Sequence, residues 1–168
     1  PRHSMKHILT CLALLAACLG FAAEENAPHS TPPGANLALV ATPTTSHVSG
    51  HETITALNDG SNPRNSNDKR NGAYGNWPQR GTQWVQYNWS LPVTTRQMDV
   101  YWFDDHGGVR LPKACRFKYW DGSAFVEVPG ASGLGLAEHR FNTTTFPEIT
   151  TTKLRLEFDG NGDSSTGI

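Results

Sequence analysis

The densest set of reactive side chains in this 168-residue sequence lies at 103–110 (FDDHGGVR), where two carboxylates, an imidazole, two glycines and a guanidinium crowd together. A carboxylate accepts from two hydroxyls, arginine donates in a fork, and a nearby aromatic face stacks on the apolar face of a pyranose. Asp104, Asp105, His106 and Arg110 therefore have the chemistry to hold a polyhydroxylated ligand. The same residues also suit a turn in which the two aspartates accept from backbone amides and Arg110 pairs with them, and the sequence leaves both readings open. Adjacent aspartates on a strand point to opposite faces and cannot easily flank one glycosidic bond, which argues against a hydrolytic centre.

Other groups are weaker signals. His47 and His51 sit in a segment after residue 42, where a lone histidine is commonly just a surface residue. Tyr74, Trp77 and Arg80 fall in a Gly- and Asn-rich stretch (71–81, NGAYGNWPQRG) whose aromatics suit either a stacking platform or core packing. Asp59, Asn62, Asn67 and Asp68 offer the hard oxygen donors that calcium prefers, although the EF-hand frame is absent. His51-Glu52 opens like a zinc-protease helix, but residue 55 is threonine, so the second ligand is missing. Cys115 alternates with polar Arg116 and reads as buried, not as a thiol nucleophile.

These residues need a scaffold, and composition narrows it. Only 17% of residues are charged, with Thr, Asn and Gly abundant, which favours turn-rich β-structure over helical bundles. The formal net charge is −1, with no run of Lys or Arg to track phosphates, so nucleic acid is excluded as a partner.

The sequence divides into a targeting segment at 1–23, a linker at 24–35 and a domain at 36–168. Residues 1–4 precede the initiator Met5, and Lys6 is followed by a short apolar run that ends in small residues, the layout of a secretory signal. The run is too short to span a bilayer. Two processing signals compete: a small-x-small site at Gly20-Phe21-Ala22, and a lipoprotein box ending at Cys18, whose lipid would be the only link to a membrane. The expected location is secreted or periplasmic. Residues 24–35 (EENAPHSTPPGA) carry three prolines and no apolar period, as a spacer does.

Of 16 aromatic residues, 15 lie between Tyr74 and Phe158, which places the core in that half. Val85, Tyr87 and Trp89 share one face of a strand, Met98, Val100 and Trp102 one face of the next. Cys115, Phe117 and Tyr119 alternate with Arg116 and Lys118, and Asp121-Gly122 supplies the left-handed positions of a hairpin leading into 125–128. Leu154, Leu156 and Phe158 alternate with Lys153, Arg155 and Glu157. Short alternating strands without an amphipathic helix predict an all-β, antiparallel sandwich.

The order of the strings Ala56-Leu57-Asn58-Asp59-Gly60, Gln83-Trp84-Val85-Gln86-Tyr87, Val100-Tyr101-Trp102-Phe103-Asp104-Asp105, Arg110-Leu111-Pro112 and Tyr119-Trp120-Asp121-Gly122 resembles discoidin-type, galactose-binding-like domains. That group includes coagulation factor 5/8 type C domains and family 32 carbohydrate-binding modules, and the sequence is most similar to the versions appended to secreted bacterial glycoside hydrolases. The resemblance implies an eight-stranded jelly roll with its ligand loops at one end. It places 103–110 at the ligand site, leads His47 and His51 toward the same rim, and makes Trp77 and Trp84 mostly structural. It supports a structural calcium near Asp59. Relatives usually continue past Ser165-Thr166-Gly167-Ile168 into a final strand, so a fragment lacking that strand is expected.

The function expected from this resemblance is a secreted, non-catalytic carbohydrate-binding module. Its partners would be an oligo- or polysaccharide and a covalently linked catalytic domain. The alternative is a structural docking module of an exported glycoside hydrolase that binds no free sugar.

Overall fold

In the computed structural model, residues 34–68 and 70–168 are described; the segment read as a targeting signal, Cys18 and most of the stretch read as a linker lie outside them. The strands are β1 (Thr42–Thr45), β2 (Thr82–Tyr101), β3 (Val109–Arg110), β4 (Ala114–Trp120), β5 (Phe125–Glu127), β6 (Phe141–Asp159) and β7 (Ser165–Thr166). Five of them form an antiparallel sheet in the order β1-β2-β6-β4-β5, and β3 pairs with β7 in a small parallel sheet. Two 3₁₀ turns, Leu37–Val40 and Ile54–Leu57, begin at Asn36 and Thr53, whose side chains accept from the amides of Ala38 and Thr55.

The alternating segments form strands with the expected faces inward. Val85, Trp89, Val100, Trp102, Phe117, Leu154, Leu156 and Phe158 are buried in one core cluster, and Cys115 and Tyr119 pack against it partly buried. Trp102 meets Phe158 edge-on at 6.3 Å and donates its indole N–H to the carbonyl of Gly135 (2.9 Å). The two patterned segments of 85–89 and 98–102 do not form separate strands as their sequence suggests. They are arms of the single strand β2, whose register against β6 shifts between Asn88 and Val93 and again between Thr95 and Gln97. Pro92, which has no N–H to give a ladder, lies in the first irregularity. The first arm pairs with β1 and the end of β6, the second with the beginning of β6, and both arms supply residues to the same core. That enclosure makes the sandwich.

The β4–β5 hairpin turns at the expected Asp-Gly, with one difference of detail. Only Gly122 takes the left-handed conformation (φ +108°). Asp121 instead closes the turn through its carboxylate, which accepts from the amides of Ser123 and Ala124 (both 2.8 Å).

On the outer face of the sheet, Arg155 lies between the rings of Trp84 (4.3 Å) and Phe125 (3.8 Å) and donates to Gln86 Oε1 (2.9 and 2.7 Å). Lys153 lies over Trp120, and Glu157 bridges Arg116 and Lys118 (both 2.9 Å). These contacts cover the aromatics of this face with charged side chains.

Residues 165–168 run between two segments of the domain. Tyr74 and Ile168 exchange backbone hydrogen bonds (2.8 and 2.9 Å), and Phe103 donates to Gly167 (3.0 Å). Asn76, buried, accepts from the amide of Thr166 at 2.6 Å. This seam joins the 74–80 stretch to the 103–110 loop and so builds one rim from segments distant in sequence.

Candidate functional site

The loop between β2 and β3 is held by its own carboxylates. Asp104, 2% exposed, accepts at Oδ1 from the amide of His106 (2.7 Å) and at Oδ2 from the amide of Leu111 (3.2 Å) and Nε of Arg110 (3.3 Å). Its own N–H donates to the hydroxyl of Ser66 (3.1 Å). Asp105 Oδ1 accepts from Gly107 (2.8 Å) and Val109 (3.0 Å). Of the two sequence readings, the turn-forming one therefore describes what both aspartates do. It does not exhaust Asp104, whose carboxylate also forms part of a cleft wall.

That cleft, of about 320 Å³, is lined by Asp104, Arg110, Leu111, Glu138, Asn161 and Ser164. Glu138 comes from the loop between β5 and β6. This loop is pinned by buried Asn142, which accepts from the amide of Ala137 (2.8 Å) and donates to the carbonyls of Ala137 (2.8 Å) and Arg140 (3.1 Å). Asn161 and Ser164 come from the turn after β6, which Gly160 fastens to Gly81 (2.9 Å) and Arg80 to Asp163 (2.8 Å). Arg80 thus pairs, in solvent, with the turn that carries the cleft's far wall. The sequence reading missed Glu138, Asn161 and Ser164, because each stands in a separate loop with no local motif to mark it.

Trp77 is 45% exposed and packs on Gly108 of the β2–β3 loop, where an added Cβ would meet the indole Cδ1 at 3.0 Å. His51 lies next to it, ring centroids 5.7 Å apart. Trp77 and His51 therefore reach the rim. Tyr74 does not, and this corrects its candidacy as a stacking residue: it is fully buried, and its hydroxyl donates to the carbonyl of His47 (2.8 Å) and meets that of Thr45 (2.7 Å). Burial pushes its phenol up to about 12. His47 is half-buried and joins this network through its backbone.

Two of the oxygen donors considered for calcium, Asp68 and Asp59, have partners within the chain. Asp68 is bound by Arg70 (2.7 and 2.6 Å) and Arg64 (3.2 Å), and these guanidiniums hold its carboxyl well below the usual range. Asp59 accepts from the amide of Ser61 (2.7 Å), closing its own turn. Asn62 and Asn67 are exposed, and the amide of Asn67 donates to Asn65. Cys115 behaves as a packed residue, its thiol raised by burial to about 11.

No protein-family model matches the sequence, and no curated protein matches it as a relative. Solved structures do match. A structure from the Streptococcus pneumoniae β-galactosidase BgaA is 15% identical, with a TM-score of 0.67 over 83% of this chain and 92% of that one. Chitosan-binding module 1 of the Paenibacillus sp. IK-5 chitosanase/glucanase is 15% identical, TM-score 0.59, covering 79% of this chain and 93% of that one. The family 32 carbohydrate-binding module of C. perfringens NanJ, solved with galactose, is 13% identical, TM-score 0.57, covering 77% and 90%.

The fold is therefore that of the carbohydrate-binding-module β-sandwiches. Its likeness to family 32 modules is one of fold, in keeping with the resemblance carried by the order of the sequence strings.

Proposed function

We propose that the chain is an exported, non-catalytic saccharide-binding module. The observation that carries this reading is the open cleft in which Arg110, Glu138, Asn161 and Ser164 present donors and acceptors, with the exposed indole of Trp77 packed on Gly108 of the loop that supplies Asp104. A guanidinium fork and carboxylate match pairs of sugar hydroxyls, and an exposed indole stacks on the apolar face of a pyranose. Its likeness in fold to chitosan- and galactose-binding modules supports the reading. So does the use of both rim aspartates as turn acceptors, which leaves neither of them placed as a general acid.

The cleft is shallow and holds few groups, so a single site would bind weakly, and tethering to a catalytic domain would supply effective concentration. A glycan-array screen of the chain tests the reading. Saturable binding to a defined glycan supports it; a folded chain that binds none leaves the docking-module alternative.

A further inference from the structure

Three side chains, two of them lining the cleft, form a set that saccharide binding does not require. A carboxylate oxygen of Asp104, an imidazole nitrogen of His106 and a carboxylate oxygen of Glu138 all lie within 4.8 Å of one another. His106 Nδ1 is 3.3 Å from Asp104 Oδ1, and the backbone N–H of His106, not its ring, makes the aligned hydrogen bond to that oxygen. Two ligands on a tetrahedral zinc, each bonded at ~2.0–2.1 Å, stand ~3.3 Å apart. The Asp104–His106 spacing is thus the bite of such an ion.

Asp104 is suited to be the fixed ligand. It is buried, and its other oxygen is anchored by the Leu111 amide and by Arg110. Arg110 straddles the carboxylate, 3.1 Å from Oδ1, with its N–H aligned on Oδ2. Outer hydrogen bonds of this kind orient carboxylate ligands. His106 and Glu138 are partly open to solvent on loops, and Glu138 Oε2 lies 3.5 Å from His139 Nε2, a contact it would exchange for the ion.

From this geometry we propose that Asp104, His106 and Glu138 bind one Zn²⁺. One imidazole and two carboxylates suit zinc better than calcium or magnesium, which select all-oxygen sites. Three protein ligands leave a fourth position for water or a ligand hydroxyl.

The test is calorimetric titration of the metal-free full chain with ZnCl₂, beside His106→Asn and Glu138→Gln. Asparagine tolerates the left-handed backbone of residue 106 (φ +57°), so the first variant removes the imidazole and keeps the turn. One ion per chain is expected, with affinity lowered at least tenfold in each variant. Cobalt bound to the unaltered chain should show the intense visible absorption of tetrahedral coordination, a readout that needs no variant. Failure to bind one saturable ion, or binding undiminished in both variants, would overturn the assignment. Glycan binding measured in EDTA reports on the saccharide reading alone, so the two can fail independently.

Discussion

Trp77 rests on Gly108, close enough that a single added carbon at position 108 would meet the indole Cδ1 at 3.0 Å. This contact joins the 74–80 stretch to the β2–β3 loop and sets where the exposed ring stands on that loop. Gly108→Ala is expected to displace the indole while the domain stays folded, because the ring is half-exposed and has room to tilt. Glycan affinity should fall severalfold with Tm nearly unchanged, and Trp77→Ala should weaken binding about tenfold, or ~1.4 kcal/mol. Isothermal titration and thermal unfolding of both variants check this.

Asp104→Asn should cost stability. An amide has one acceptor oxygen where the carboxylate has two, so its NH₂ would face either the His106 or the Leu111 N–H in a buried position. Leaving one buried donor unsatisfied costs about 1–3 kcal/mol, seen as a Tm lower by several degrees. A Tm unchanged by the substitution would refute the role given to this carboxylate.

Arg155→Ala should also destabilise, by about 1–2 kcal/mol, through lost contacts to the rings of Trp84 and Phe125. Arg155→Lys should not restore the loss, since an ammonium cannot contact both rings with a planar face while donating in a fork to Gln86. Denaturant titration of the three proteins measures the order.

Much of the sandwich was legible in the sequence, and the reason is local. Leu154, Leu156 and Phe158 alternate with charged neighbours because one face of β6 is core and the other carries Lys153, Arg155 and Glu157. Asp121-Gly122 marked its hairpin because the turn needs one left-handed residue and one short acceptor side chain. The continuity of β2 was not legible, since a strand that passes through irregularities has the same alternation as two strands. The site was half legible. Residues 103–110 form a compact cluster, but Glu138, Asn161 and Ser164 join it only through tertiary contacts. Tyr74 misled because an aromatic in a Gly-rich stretch looks alike whether it faces solvent or core.

Acid should destabilise the domain in a defined window. Burial alone would raise the carboxyl of Glu157, but Lys118 and Arg116 outweigh it and hold it below its ordinary 4.5. Asp159 is held below 3.8 by the Thr82 hydroxyl and Arg116, and Asp121 by the amides of Ala124 and Ser123. For depressed carboxyls the folded state holds fewer protons than the unfolded one, so their stabilisation is complete above about pH 4.5. It is lost progressively as pH falls through the lowered folded values. Tm should be level above pH 5 and decline below 4.5, and Glu157→Gln should flatten the decline. A Tm that rises on acidification would contradict the assignment.

The most direct test of the saccharide reading sets two arginines against each other on whichever glycan the array returns. Arg110 lines the cleft, whereas Arg155 stands on the outer face of the sheet between two aromatic rings. In folded protein, Arg110→Ala should lower glycan affinity at least tenfold while Arg155→Ala leaves it unchanged. Affinity retained in Arg110→Ala and lost in Arg155→Ala would move the binding surface to the sheet face and contradict the site described above.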